Sequence, residues 1–394
     1  SASKYWDVSG LTVSRSFGSN PWSHMVTIGG QNNSVSDCEI FSTLVDTSGW
    51  TVSDWKSKTT SGVNLTGTGN MIADSTITNV KMGIDIGGTF NTIKGNRIQN
   101  FTIDGMRALG NDILIENNYI SDNYNIDDNH DDGIQSFTYA DPIARVTVRG
   151  NKIVETTDPN RPFKGSLQGI GCFDGMFEDW LIENNVVVVN QYHGIALYGA
   201  INCKIINNTV LDQKPDQTPA STWITIEPHK KYANELDPDL KAYYQGRDNL
   251  VRNNLASFII DSPRAGTFDN NKALASIDFA IYFVNYPFDL HLKAGSPAID
   301  AGTNTGASTF DADGVARPVD GDGNGSSIVD WGAYEYVGTW RGAPRSGNFV
   351  EISAKFGWVA IENDPWIWSY TLSNWIYLGP SWTATNLGWT YIKR

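Results

Sequence analysis

Five acidic or imidazole side chains, Asp127, Asp128, His130, Asp131 and Asp132, fall within six positions of the stretch YNIDDNHDDGIQSFTY, residues 124–139. Asp132 directly precedes a Gly and an apolar run, and so do Asp104 in IDGMRA and His193 in YHGIAL. These residue types do proton chemistry. Two carboxylates held about 5 Å apart do not both ionise cheaply. One becomes a general acid beside a carboxylate base or nucleophile. Breaking a glycosidic bond needs such a pair, at about 5–5.5 Å for retention and about 6.5–9.5 Å for inversion. Whether positions 104, 132 and 193 share a site depends on the elements that carry them.

Those elements are repeats. DSTITN, GNRIQN, ENNYIS, GNKIVE, ENNVVV, INNTVL and RNNLAS each set a polar residue, usually Asn, before a short apolar pair. The aligned residues Asn96, Asn118, Asn151, Asn185, Asn208 and Asn254 are 22, 33, 34, 23 and 46 positions apart, a unit of 22 with insertions. Each unit also carries a Gly-apolar-x-apolar strand: GIDI, GMRA, GIQS, GIGC, GIAL and the variant WITI. Short β units of this length without a helical period predict a solenoid of stacked parallel strands. Asn side chains at one fixed phase would hydrogen-bond along the stack. The insertions at 121–131, 155–167 and 211–221 all precede the Gly strand, and those at 138–145 and 228–248 follow it. Long loops on both sides of one sheet predict a groove, and a groove suits a polymer.

Side chains alternate faces along a strand. In GIQS the Ile and Ser are expected inward and the Gly and Gln outward. Stacking the units gives an outward Gly column of Gly83, Gly105, Gly133, Gly169 and Gly194, then Trp223, read as a flat trough. The next outward column is Asp85, Arg107, Gln135, Gly171, Ala196 and Thr225. After it come Gly87, Leu109, Phe137, Phe173, Tyr198 and Glu227, with three consecutive aromatics as a sugar-stacking platform. The column before the Gly is Met82, Asp104, Asp132, Gln168, His193 and Thr222. Adjacent strands lie about 4.8 Å apart. Asp104 and Asp132 are therefore expected about one strand spacing apart, with Asp131 as a more distant partner and His193 two coils on.

Composition narrows the class. The chain has 394 residues and a net charge of −14, which excludes a generic nucleic-acid binder. A local basic set, Arg107, Lys164, His229, Lys230 and Lys231, still allows an anionic ligand. The 14 Trp and 16 Tyr suit carbohydrate contact. Three scattered Cys, without C-x-x-C, indicate neither a disulfide framework nor a zinc site. No apolar run reaches the roughly 18 residues of a membrane span. The abrupt start at SASKYWDVSGLTVS, already strand-like, reads as a processed chain.

The repeats resemble the right-handed parallel β-helix of the pectate-lyase-like superfamily over roughly residues 5–290. That resemblance implies an all-β, single-stranded solenoid. IDGMRA, HDDGIQ and YHGIAL are similar to successive coils of polygalacturonase-type glycoside hydrolases. By that resemblance Asp104, Asp131 and Asp132 are the carboxylates and His193 positions substrate. An extra coil with Gln168 intervenes, and WITIEPHKK stands where that family has an Arg-Ile-Lys strand. DDNH, with Asp128 and His130, loosely resembles an Asp-x-His element of mannuronan epimerases and alginate lyases. This second resemblance implies proton abstraction beside a uronate carboxyl, with His193 or His130 as base and cations neutralising the substrate.

LHLKAGSPAIDAG, residues 290–302, and RPVDGDGNGSSIVDWGAYEY after it resemble the closing segment of secreted bacterial β-helix proteins. Within it Asp320, Asp322 and Asn324, then Gly325 and Asp330, echo half of a calcium loop. Asp330 would have to replace the missing bidentate Glu. From about 337 the texture changes, with Trp358, Trp366, Trp368, Trp375, Trp382 and Trp389 in one short stretch. It reads as a small β appendage: a cap on the solenoid end, a sugar-binding module, or a surface-attachment tail like those of secreted marine bacterial proteins.

The sequence therefore predicts a β-helical domain over 1–336 and a Trp/Tyr-rich appendage over 337–394. The expected protein is a secreted or cell-surface bacterial monomer that cleaves a sulfated or uronate-containing polysaccharide, hydrolysis favoured. Asp104, Asp132, Asp131, His193 and His130 are the candidate catalytic residues. Arg107, Gln135, Phe137, Lys164, Gln168, Phe173, Tyr198, Trp223, Glu227, His229 and Lys230 are the candidate substrate contacts. Hydrolysis needs no cofactor, and a structural calcium is the metal expected. A lyase or C5-epimerase acting on a uronate polymer such as alginate is the runner-up, and a non-catalytic, tailspike-like glycan binder the third reading.

Overall fold

Each pass of the chain lays down three short strands and returns one step along a common axis. The computed structural model describes residues 4–15, 23–158, 163, 165–213, 222–262, 265–340, 343–346, 349–351, 358–363, 366–369, 372–378 and 390–392. Among these, the first and second sheets have ten parallel strands each and the third has nine. Coil 4, for example, is Thr92–Lys94, Arg97–Phe101 and Met106–Ala108; coil 5 is Leu114–Glu116, Tyr119–Asn123 and Asp131–Phe137. Coils 6, 7 and 8 place Leu167–Asp174, His193–Tyr198 and Trp223–Glu227 in the third sheet.

The turn between the first and second strands sets the repeat. Gly95, Asn117, Gly150, Asn184, Asn207 and Asn253 all have φ between 53° and 65°. Only Gly, Asn and Asp visit this left-handed region cheaply. The next residue is the buried Asn of the motif. Asn96, Asn118, Asn151, Asn185 and Asn208 each donate their backbone N–H to the Oδ1 of the following coil's Asn, at 2.9–3.0 Å. The ladder runs on to Asn254 and Asn271. The expected Asn stack is thus present and longer than the six aligned residues.

The interior is filled by rows of β-branched residues, as suits strands buried in parallel sheets. Ile72, Ile93, Ile115, Val148, Ile182, Ile205 and Val251 form one such row, all fully buried. Ile77, Ile98, Ile120, Ile153, Val187 and Val210 form the row of the second sheet.

The Gly column faces this interior, which corrects the outward trough expected from strict alternation. A Cβ on Gly83 would lie 2.8 Å from Ile98 Cγ2, one on Gly105 2.6 Å from Ile120 Cγ2, and one on Gly169 2.5 Å from Val187 Cγ1. The chain bends here. Gly83 and Ile84 donate consecutive N–H groups to the same neighbouring coil, at Asp104 O and Gly105 O. Two successive residues therefore face inward, and only Gly fits the corner. Coil 8 departs again: Trp223 pairs with His193 and Ile224 with Ile195, so Trp223 is not in line with the glycines.

Long connections flank the third sheet on both edges. On its entry side the helix Val52–Lys58 buries Trp55 edge-on against Trp50 and Tyr124, and Lys56 reaches Asp127 at 3.6 Å. On its exit side lie the three-stranded ribbon of Ile143–Ala144, Phe177–Glu178 and Ala200–Ile201, and the helix Pro238–Gln245.

Residues 276–336 turn back over the second sheet. Phe279, Tyr282, Phe283, Leu290, Leu292, Ala333 and Tyr334 pack on Val186, Val188, Leu211 and Leu255 in a second core. The strap is clamped by a fully buried Arg317–Glu335 pair at 2.5 Å. His291 is held between Asp289 and Asp313, each at 2.6 Å, and these contacts raise it to about 9. Among the described residues the tail forms a seven-stranded antiparallel sheet from Thr339–Trp340 to Thr390–Ile392, with Trp368 edge-on to Trp375. Trp382 and Trp389 lie outside the described residues.

Asn151 is the sharpest test of the ladder. It is fully buried, accepts from both the N–H and Nδ2 of Asn118, and donates to Ile115 O and Asn185 Oδ1. Asn151→Ala leaves several buried groups unpaired. The expected loss is on the order of 2–5 kcal/mol, read as a fall in thermal and urea midpoints. An unchanged midpoint would rule out the ladder as a stabilising device.

Candidate functional site

The bend at the glycines turns the residue before each Gly onto the outer face. Two outer columns follow. The first holds Asp104, Asp132, Gln168 and His193, in register through Met106 with Ile134, Asp132 with Gln168, and Ile170 with Ile195. The second holds Asp85, Arg107, Gln135, Gly171, Ala196 and Thr225. Within a coil, a first-column residue reaches the second-column residue three positions on. Arg107 Nε donates to Asp104 Oδ2 at 2.7 Å, and Gln135 Nε2 to Asp132 Oδ2 at 2.9 Å.

The carboxyl groups are dry. Asp104 and Asp132 are fully buried and Asp131 is 1% exposed. Asp104 Oδ1 accepts the backbone N–H of Asp132 at 2.9 Å, which ties the two coils together. Burial lifts Asp104 to about 6, against the pull of Arg107. Burial and the Asp104 charge push Asp132 well above the carboxylate range. Asp131 lies at the corner between Asn123 and Asn129, which donate at 3.1 and 3.0 Å, and burial raises it to about 8. The cluster thus holds one carboxyl offset by a guanidinium beside two that burial pushes further toward the protonated form. Asp132 Oδ1 is buried without a hydrogen-bond partner.

One coil further, Gln168 Oε1 accepts from His193 Nδ1 at 3.0 Å, and His193 Nε2 meets the Tyr198 hydroxyl at 3.2 Å. With Gln168 fixing the proton on Nδ1, Nε2 is the acceptor. Burial, with His130 and Lys230 adding to it, lowers His193 to about 4. Burial raises Tyr198, so the pair is a neutral imidazole and a neutral phenol. His130 is exposed in its loop yet close enough for its charge to act on His193.

The aromatic residues do not form the single column expected. Ser136 pairs with Cys172 and Phe137 with Asp174, so Phe173 is an extra residue, a bulge, in coil 6. Phe137 instead sits under Arg107, 5.9 Å from its guanidinium carbon, and beside Tyr139. Phe173 joins His193 at 4.6 Å and Tyr198 at 5.8 Å between ring centroids. Trp223 and Tyr192 complete that group, with Tyr192 at 4.2 Å from His193 and 5.0 Å from Trp223. Tyr192 is 42% exposed and is absent from the sequence-based set. Its position directly before His193 was the available signal.

The remaining candidates divide. Lys230 extends from the coil 8 edge to Asp174 at 2.7 Å, and Glu227 accepts from Thr225 at 3.1 Å. The His229 ring is buried and stacked on Tyr244 at 4.9 Å, and its Nδ1 accepts the Lys231 N–H. Lys164 lies outside the described residues. Among the metal candidates, Asp320 and Asp322 gather with Asp300, their carboxylate oxygens within 4.8 Å of one another. Asn324 adjoins them, donating its N–H to Asp320 and Asp322. Asp330 is not in that loop. It is buried, and its carboxylate accepts the N–H groups of Asp300 and Tyr336.

Residues 61–233 match the family model described as right handed beta helix region. That stretch lies within the stacked parallel sheets, and the chain folds as a right-handed parallel β-helix. Among solved structures, pectate lyase Pel9A is similar at 15% identity and a TM-score of 0.48, covering 85% of this chain and 97% of that one. XylC in complex with xylose is similar at 13% identity and a TM-score of 0.39, over 63% of this chain and 41% of that one. The Dettilon tailspike protein gives 12% and 0.42, over 68% of this chain and 60% of that one. No curated protein matches the chain. The β-helix places every first-column residue on one outer face of one sheet.

His193 should therefore stay neutral at pH 6 and titrate near 4, as followed by the imidazole carbon resonances in NMR. A midpoint at or above 6 would overturn the neutral pair.

Proposed function

We propose that this β-helix protein hydrolyses glycosidic bonds within an anionic polysaccharide, using Asp132 as general acid and Asp104 as its ionised partner. The observation that carries the reading is the adjacency of the two carboxyls in unlike surroundings. Asp104 is bonded to Arg107, whereas Asp132 has only Gln135 and one unpartnered oxygen. Unlike surroundings separate the two pKa values, which is what acid and base duties require. Asp132 then protonates the leaving oxygen, and Asp104 attacks the sugar or activates water. Asp131 keeps the local field negative only at higher pH, since it too is raised.

His193, Gln168 and the rings of Phe173, Tyr198, Tyr192 and Trp223 bind sugar beside the pair in this reading. Arg107 beside Asp104 and Lys230 near His193 favour a sulfated or carboxylated polymer. Proton abstraction from a uronate is less well served, because His193 is a weak base and the Tyr198 phenol is raised. Secretion from a bacterium, a monomeric working form and the division into units 1–336 and 337–394 belong to the same proposal and rest on the sequence.

Incubation with a panel of sulfated and uronic-acid polysaccharides separates the reactions. Hydrolysis yields new reducing ends without an unsaturated, ultraviolet-absorbing product. Asp132→Asn and Asp104→Asn should each lower the rate at least about 100-fold, and the acid limb of the wild-type profile should fall near 6, where Asp104 ionises. An unsaturated product would reject the carboxylate pair in favour of β-elimination. No product from any polymer would leave the epimerase and binder readings.

A structural calcium on Asp300, Asp320 and Asp322 is the second part of the proposal, with Asp300 in the place expected for Asp330. Added calcium should raise the melting temperature of the wild type and leave Asp320→Ala unaffected; an equal response of both would remove the site.

A further inference from the structure

We propose that Phe173 is a positioning residue that acts through Asp132: the bulge in coil 6 turns its ring across Gly171 onto the Asp132 carboxyl and keeps water from Oδ1 until a sugar ring displaces it. The inference rests on the reading of Asp132 as the acid.

Three observations meet at this point. Phe173 has no ladder partner, because Ser136 pairs with Cys172 and Phe137 with Asp174. A bulge of this kind re-aims one side chain. Gly171, in the second outer column where neighbouring coils carry Gln135 and Ala196, clears the space into which the ring is aimed. A Cβ built on Gly171 would lie 2.3 Å from Phe173 Cε2, 2.4 Å from Cζ and 2.6 Å from Asp132 Oδ1. The ring edge and the carboxyl oxygen therefore close over the bare Cα of Gly171. That oxygen is the one with no hydrogen-bond partner and no accessible surface.

The chemistry follows from the contact. An oxygen facing a ring edge and no donor holds its proton, because the charged form has nothing to solvate it. The other groups that bear on Asp132 are Asp104 and Arg107 from the preceding coil, Asp131 on its own strand, and Gln135. Cys172 faces it from the next coil, and His193 lies beyond the Phe173 ring. Of these, only Arg107 and Gln135 favour the ionised form. Phe173 is itself half-buried, with one side on His193 and Tyr198, so a sugar stacking there competes for the ring.

The test is the titration of Asp132, followed by carboxyl-carbon NMR in protein labelled at aspartate and assigned with Asp132→Asn. Phe173→Ala removes the cover. Phe173→Ser removes it as well and leaves a smaller, polar side chain. Both should lower the Asp132 midpoint by about one unit, a tenfold rise in its acid dissociation constant, whereas Tyr198→Phe should not. The basic limb of the polymer-cleavage profile should fall by the same amount in the two variants. An unmoved midpoint in whichever of the two folds, checked by its melting curve, would overturn the inference. A moved midpoint in a protein that cleaves no polymer would sustain Phe173 as the cover and defeat the hydrolase reading instead.

Discussion

A side-chain amide bonded to the next coil's backbone fixes everything else in this molecule. The buried Asn ladder holds each coil at the same phase as its neighbour, from Asn96 to Asn271. Because the first turn repeats in phase, the Ile and Val rows stack inside and the outer columns stack outside. Asp104 and Asp132 are 28 residues apart in sequence, yet they are neighbours because both coils leave the same kind of turn and insertions are confined to other corners. The long connections could grow on the edges of the third sheet without shifting its register.

This division explains what the sequence discloses. The Asn-Asn and Gly-Asn pairs were legible because each residue answers a separate local demand: a left-handed φ, then an amide aimed along the axis. The register of Asp104, Asp132, Gln168 and His193 follows from counting back from the glycines. The orientation of the glycines was not legible. Strict alternation assumes a straight strand, and the chain bends where two successive N–H groups bond the same coil. The bulge at Phe173 and the slip at Trp223 are single-residue departures with no signature in composition. Asp300 lies 20 residues before Asp320, so a loop motif read in sequence took Asp330 in its place.

The polar face contrasts two ways of burying polarity. Asp104 is satisfied on both oxygens, by Arg107 and by a backbone N–H. His193 is satisfied on both nitrogens, by Gln168 and Tyr198. Asp132 lies between them with one oxygen unmet. An orphaned buried oxygen costs about 1–3 kcal/mol, and the stable stack around it supplies the rigidity that lets such a group persist.

The strap has a mechanical consequence. Asn184, Asn207 and Asn253, the left-handed residues of successive turns, reach out to Phe310, Ser308 and Thr303. The residues that turn each coil are therefore also rivets for a cover that spans several coils at once. A solenoid held only by neighbour contacts frays from either end. Here the late coils share one clasp. Separating any one of them from its neighbour also breaks a bond to the strap, so these coils are held as a block rather than pair by pair.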